Sequence, residues 1–337
     1  MIEDDSISEI VLLTQLPTDS WFQGTALRPD GRVLASRLDL PELYLFNPKD
    51  PESEPVLLHT FPEASGLVDV CPLKGCHDEF AVISGVFDIP NATFEKPTIW
   101  RVKLSPKDDV PPTVSCIGEV AGAGFVAGMI AATEKTLLIA DSSNYCIWRV
   151  DIATAKSSVL SKGESMVALS EEEPYGINAV CITDRFAYFG NESTGCLGRV
   201  PVKFGPDGSD DGWDIHATGP AQVVSDEIPH SDGLTLTKDG NVAYSANYVN
   251  GELRRIDIDD ATGKGTTTML MDNLVTPASL QLVYDDNTSG KAKMLCLCLG
   301  EIDISWVRDD GDGSWSDIAN INESVTVTVT TEVVETS

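Results

Sequence analysis

Six times along this chain nearly the same apolar tetrad recurs: Leu43-Tyr44-Leu45-Phe46, Ile99-Trp100-Arg101-Val102, Ile147-Trp148-Arg149-Val150, Leu197-Gly198-Arg199-Val200, Leu253-Arg254-Arg255-Ile256 and Ile304-Ser305-Trp306-Val307. The steps between them are about fifty residues, the length of a four-stranded unit with its loops. A repeat of this kind builds a stacked or circular array, in which each unit buries its faces against its neighbours.

The grammar within a unit is constant. An inner strand such as Gly176 to Ile182 is followed by a turn rich in Asp and Gly, for example Arg28-Pro29-Asp30-Gly31 or Lys238-Asp239-Gly240. These residues supply the backbone freedom and local hydrogen bonds that turns need. The second strands are Val33 to Ser36, Phe80 to Ser84, Thr136 to Asp141, Phe186 to Gly190, Asn241 to Asn247 and Lys293 to Gly300. The recurring tetrad is the third strand, and a variable fourth, such as Val56 to Thr60 or Ala221 to Val224, lies outermost. No stretch has the 3.6-residue apolar period of a packed helix layer. The chain is therefore expected to be all-β, a six-bladed β-propeller with four-stranded blades, forming one domain over residues 1–337. Ile10 to Leu16 and Val325 to Val334 are expected to close the ring from the two chain ends.

Composition narrows the partners. The formal net charge is −30. Such a surface repels phosphate backbones and anionic lipid, so neither nucleic acid nor membrane is an expected partner. A monomer acting on small, apolar molecules is expected. No apolar run is long enough to span a bilayer. The N-terminus lacks the basic and apolar regions of a signal peptide. A secretory location follows only if such a peptide has been removed, and a cytoplasmic one otherwise. Sequons stand at Asn91, Asn191, Asn287 and Asn322. Of the eight cysteines, Cys71 and Cys76 flank a turn that a bridge could pin, and one or two disulfides are expected. Cys296 and Cys298 face the same way on one strand and are poorly placed to bond each other.

In a propeller, the loops entering the inner strands and those joining the second and third strands open on one end of the central channel. That places Trp21, Phe22 and Gln23, then Phe125, Met129, Tyr175, Asn178, His230 and Asp232, around the mouth. From the second set of loops come Arg37, Phe87, Asn247 and Tyr248. The mixture of aromatics and amides suits an apolar ligand with a few polar handles. No Gly-x-Ser-x-Gly elbow or phosphate-cradling loop is present.

Tyr175-Gly176-Ile177-Asn178 and Ser231-Asp232-Gly233-Leu234 resemble the gluconolactonase, senescence marker protein and luciferin-regenerating enzyme-like propellers. Leu137 to Ser142, Ile147 to Asp151 and Pro41-Glu42-Leu43-Tyr44 are similar to the fungal branch of that group. The resemblance implies a channel cation held by Glu, Asn and Asp, with a second Asn nearby. Asn178 and Asp232 match that set, but Gln23 stands at the Glu position and Ala127 at the second Asn. Affinity for a hard cation rises with carboxylate count, so this substitution argues for no metal and no cofactor. If a metal is bound, calcium or zinc on Gln23, Asn178 and Asp232 is expected.

The fungal branch also contains hetero-Diels–Alderases that join a tropolone-type quinone methide to a humulene-like sesquiterpene. That resemblance implies a metal-independent pericyclase. Its walls would be Trp21, Phe22, Phe87, Phe125, Met129, Tyr175 and Tyr248, and its polar groups Gln23, Asn178, His230, Asp232, Asn247 and Arg37. A divalent-metal-dependent lactonase and a non-catalytic protein-binding propeller are the alternatives.

Overall fold

The computed structural model describes residues 9–15, 20–50, 53–88, 93–107, 109–171, 173–205, 212–284, 292–298 and 325–330. Five blades are built from consecutive antiparallel strands. The first comprises Phe22–Leu27, Val33–Arg37, Glu42–Phe46 and Val56–Thr60. The second comprises Gly66–Pro72, Glu79–Asp88, Thr93–Lys103 and Thr113–Glu119. Val126–Ala131, Thr136–Asp141, Cys146–Asp151 and Ser157–Lys162 make the third. The fourth has Ile177–Ile182, Phe186–Asn191 and the long strand Cys196–Phe204, whose outer edge pairs with both Gln222–Ser225 and Ile215–Ala217. Ser231–Leu236, Val242–Asn247, Glu252–Ile258 and Gly265–Met271 form the fifth.

A further sheet joins Pro277–Tyr284 and Ala292–Cys298 to strands from both ends of the chain, Val325–Thr330 and then Glu9–Gln15. Its third-strand place is taken by Val325–Thr330; Ile304 to Val307 lies outside the described residues. The inner strands pack against one another in chain order, and the last, Pro277–Tyr284, returns to the first. Among the described residues the only helix is the three-residue turn Glu164–Met166, and no helix is long and apolar enough to cross a membrane.

Two irregularities recur in register. In each of the five consecutive blades the tetrad carries a β-bulge against the fourth strand, at Leu43/Tyr44, Ile99/Trp100, Ile147/Trp148, Leu197/Gly198 and Leu253/Arg254. The repeat thus marks the point where each blade increases its twist before its outer edge. The large residue after the bulge is tied back to its own blade: Trp148 Nε1 donates to Asp141 Oδ2 at 2.9 Å, and Trp100 Nε1 to Ser84 Oγ at 2.9 Å. Leu43, Ile99, Ile147 and Leu197, one residue earlier, are fully buried.

The second irregularity positions the site. Every inner strand is bulged near its start, between Phe22/Thr25, Leu67/Asp69, Val126/Met129, Ile177/Val180, Ser231/Leu234 and Pro277/Ser279. The residues skipped by the ladder, among them Gln23, Ala127, Asn178 and Asp232, line the central cavity. Close approach of neighbouring inner strands requires glycine beside them. A Cβ on Gly24 would lie 2.7 Å from the Asp69 Cα, and one on Gly128 would lie 2.8 Å from the Asn178 carbonyl oxygen.

All eight cysteines are free thiols, which corrects the expected disulfides. Cys71 lies in the core between the second and third blades, and Cys76 packs at its edge beside the Arg101 guanidinium, unbonded to Cys71. Cys296 and Cys298 share a face with sulfurs 3.9 Å apart, unbonded. Asn191 is fully buried, with its amide donating to the Ser165 and Val167 carbonyls, so its sequon is closed in the folded chain. Asn91, Asn287 and Asn322 lie outside the described residues.

Candidate functional site at the channel mouth

A cavity of about 350 Å³ follows the inner strands from Gln23 and Asp232 at one end to Pro72 and Lys74 at the other. Its wall is mostly aliphatic or small: Gly24, Val68, Gly128, Val180, Gly233 and Leu234 are typical. Three polar groups stand at its upper end on three bulges. Gln23 Nε2 donates to both Asp232 oxygens, at 3.0 Å each. Asn178 Nδ2 donates to Glu192 Oε2 at 3.0 Å. The other Glu192 oxygen accepts the Tyr248 hydroxyl at 2.6 Å.

The direction of the Gln23 amide is fixed by its other neighbour. Trp21 Nε1 lies 2.9 Å from Gln23 Oε1. An indole N–H can only donate, so Oε1 must face it and Nε2 must face Asp232.

Electrostatics at these carboxyls are unusual. Removal from water raises Asp232 most; the nearby Glu192 charge adds to this, while the Gln23 hydrogen bond opposes it, leaving Asp232 at about 8. Glu192 is likewise raised by burial, against the stabilising hydrogen bonds of Tyr248 and Asn178. A third carboxyl, Asp69, lines the same cavity and is pushed up to about 7 by burial, although the Met129 and Val70 N–H groups hold its oxygens at 2.7 and 2.8 Å. Among the described residues no lysine or arginine side chain is hydrogen-bonded to any of the three. Desolvation, with repulsion between neighbouring charges, therefore favours the protonated form of each.

The remaining expected residues fall into three places. His230 backs the Glu192 side, its ring 6.3 Å from that of Tyr248 and its backbone N–H on the Glu192 carbonyl at 2.9 Å. Phe87, Phe125 and Tyr175, with Phe94, form an aromatic run with ring centroids 4.3 to 6.1 Å apart. Phe125 and Tyr175 are half-buried, whereas Phe87 is core. Met129 lines the cavity, and Phe22 is fully buried against Tyr44. Two residues stand apart from the cluster. The Arg37 guanidinium is paired with Asp39 and lies over the Phe22 ring. Asn247 is buried in a turn, its Oδ1 accepting the Val249 and Asn250 N–H groups at 3.1 and 2.9 Å.

Glu192 and Asp69 were not among the residues singled out from the sequence. Asp69 carried a signal, a single carboxylate inside the apolar run Leu67 to Cys71. Glu192 carried none, because it sits in the turn Asn191-Glu192-Ser193-Thr194, where an acid needs no explanation.

No protein-family model and no curated protein sequence matches the chain. Solved structures do. A luciferin-regenerating enzyme aligns with a TM-score of 0.60 at 10% identity, covering 97% of this chain and 99% of its own. The calcium-binding protein regucalcin from Agrobacterium tumefaciens aligns at 0.58 and 14%, covering 96% and 95%. The PQQ-bound aldose sugar dehydrogenase from Streptomyces coelicolor aligns at 0.59 and 11%, covering 95% and 98%. The chain shares the β-propeller fold of these proteins. At such identities that is the extent of the likeness.

Whether a divalent cation fits can be judged from the donors present. A hard cation needs oxygen lone pairs. Here Gln23 turns its N–H groups toward Asp232 and Asn178 turns one toward Glu192. As arranged, the carboxyl oxygens are met by amide donors, a set that does not fit a calcium or zinc ion.

Proposed function

We propose that this protein is a metal-independent enzyme, a single six-bladed ring closed by its terminal strands. Its substrate is a large, mainly apolar small molecule bearing a carbonyl-type oxygen. One observation carries the reading: Asp232, held by Gln23 at the head of an aliphatic channel, has its ionisation pushed up to about 8. At neutral pH it is mostly a neutral acid. A neutral carboxyl at the edge of a water-poor cavity can give its hydrogen to an oxygen on which negative charge grows. Glu192, anchored by Tyr248, holds Asn178 in place behind it. The named neighbours include a dehydrogenase and a luciferin-regenerating enzyme, which supports an enzyme over a purely structural propeller.

The reaction that best suits this equipment is the hetero-Diels–Alder joining of a tropolone-type quinone methide to a humulene-like sesquiterpene. No proton is gained or lost overall, and no oxidant is needed. The channel would hold the two partners in register, replacing much of the entropy cost of their encounter. The Asp232 O–H would stabilise the quinone methide oxygen as the new bonds form. Incubation with a quinone methide precursor and humulene should give adduct at a rate unchanged by chelator. Failure to exceed the uncatalysed rate with these and related dienophiles would overturn the reading.

A second reading, a divalent-metal-dependent lactonase of the gluconolactonase type, draws on Glu192, which brings into the cluster the second carboxylate that Gln23 does not supply. It requires Gln23 to turn away from Trp21. Hydrolysis across a lactone panel, abolished by chelator and restored by calcium or zinc, would establish it.

A further inference from the structure

The cluster's state depends on a residue that touches neither of its acids. Trp21 precedes the strand Phe22–Leu27 and is half-buried. Its backbone N–H donates to Asp39 Oδ1 at 3.1 Å, and its indole N–H to Gln23 Oε1 at 2.9 Å. It packs against core residues on two sides. The ring is thereby held where its single donor addresses the Gln23 amide.

We infer that Trp21 is a positioning residue that fixes the Gln23 amide with its N–H groups toward Asp232 and so makes the Gln23–Asn178–Asp232–Glu192 cluster reject a divalent cation. The inference rests on the metal-independent reading above. For a cation to be seated beside Asp232, Gln23 would have to turn its oxygen inward. That rotation sets its N–H groups against the half-buried indole N–H, donor facing donor. Such an encounter is costly, whereas the present arrangement satisfies both ends of the amide. Removing the indole N–H removes the penalty while leaving the amide free to turn. The chain thus departs from a cation-binding arrangement twice, once by placing an amide at position 23 and again by fixing which end of that amide faces inward.

Manganese is the probe, read by electron paramagnetic resonance, with calcium as competitor in calorimetry. The wild-type chain should show no saturable site at millimolar manganese. Trp21→Phe, which keeps an aromatic ring and loses the donor, should bind one manganese at least about tenfold more tightly than wild type. Calcium should displace it, and adding Asp232→Asn should abolish it. A role of Trp21 in packing alone would move the melting temperature without creating a metal site. Should Trp21→Phe fail to fold, Trp21→Leu carries the same expectation. A folded variant with no gain over a metal-free wild type overturns the role of Trp21 and leaves the proposed function standing. Tight manganese binding by wild type, with activity dependent on it, overturns both.

Discussion

On the proposed reading Asp232 is the reacting acid, and its environment sets its pH behaviour. Because the folded state favours the protonated acid, the reaction should proceed through that form. The rate constant kcat/KM should be flat below neutrality and fall as pH rises through about 8. Asp232→Ala should lower it by roughly a hundredfold or more, the usual worth of a placed proton donor. Asp232→Asn, which keeps a weaker donor, should lose less. A pH–rate profile that rises through pH 8, or an alanine variant with normal turnover, would contradict the assignment. At this scale the sequence revealed part of the site. Gln23, Asn178 and Asp232 were legible because they follow recurring loop phrases. Glu192 was not, since its pairing with Tyr248 spans 56 positions and depends on how two blades meet.

At the scale of the element, the inner-strand bulge is the device that aims the site, and the turn after the second strand is what steadies it. Asp141, Asn191 and Asn247 occupy matching places in three blades, each accepting backbone N–H groups of its own turn. Asp141 also takes the Trp148 indole and the Gly124 N–H, at 2.9 and 2.8 Å. Asp141→Ala strands these part-buried donors and should cost about 2 kcal/mol, measured by denaturant unfolding. The sequence places Asn247 near the mouth, but a capping Asx residue and a channel-facing one look alike in a list of loop residues. Register separates them: Asn247 ends a paired strand, whereas Asp232 sits in a bulge. Gly128→Ala tests the close packing of the inner strands. Its Cβ meets the Asn178 carbonyl, so activity should fall with Asn178's displacement more than stability does.

For the whole molecule, the ring explains both what the repeats foretold and where they stopped. Tetrads, turns and strand lengths gave the five consecutive blades, because each blade is a local unit whose pattern is complete within about fifty residues. Closure by Val325–Thr330 and Glu9–Gln15 joins segments from opposite ends, which their apolar runs and not the repeats foretold, and the sixth tetrad lies outside the described residues. The channel gathers three carboxyls from separate blades, which gives stability a definite pH dependence. Asp69 and Asp232 have raised values in the folded state, so between about pH 4 and pH 8 the native chain binds more protons than the unfolded one. Their contribution is full below the ordinary carboxyl range and is lost as pH rises through 7 and 8. The melting temperature should therefore be higher at pH 5.5 than at pH 8.5, as far as these groups set it, and Asp69→Asn with Asp232→Asn should flatten that difference. An unchanged slope in the double variant would count against it.

The proton on Asp232 can be observed directly. Carbon-13 resonance of labelled aspartate carboxyls, with Asp232→Asn to assign the signal, should show a titration centred near 8 that millimolar calcium leaves in place. A midpoint near 4, the ordinary value for an aspartate, or one that collapses when calcium is added, would contradict a proton-holding, metal-independent site.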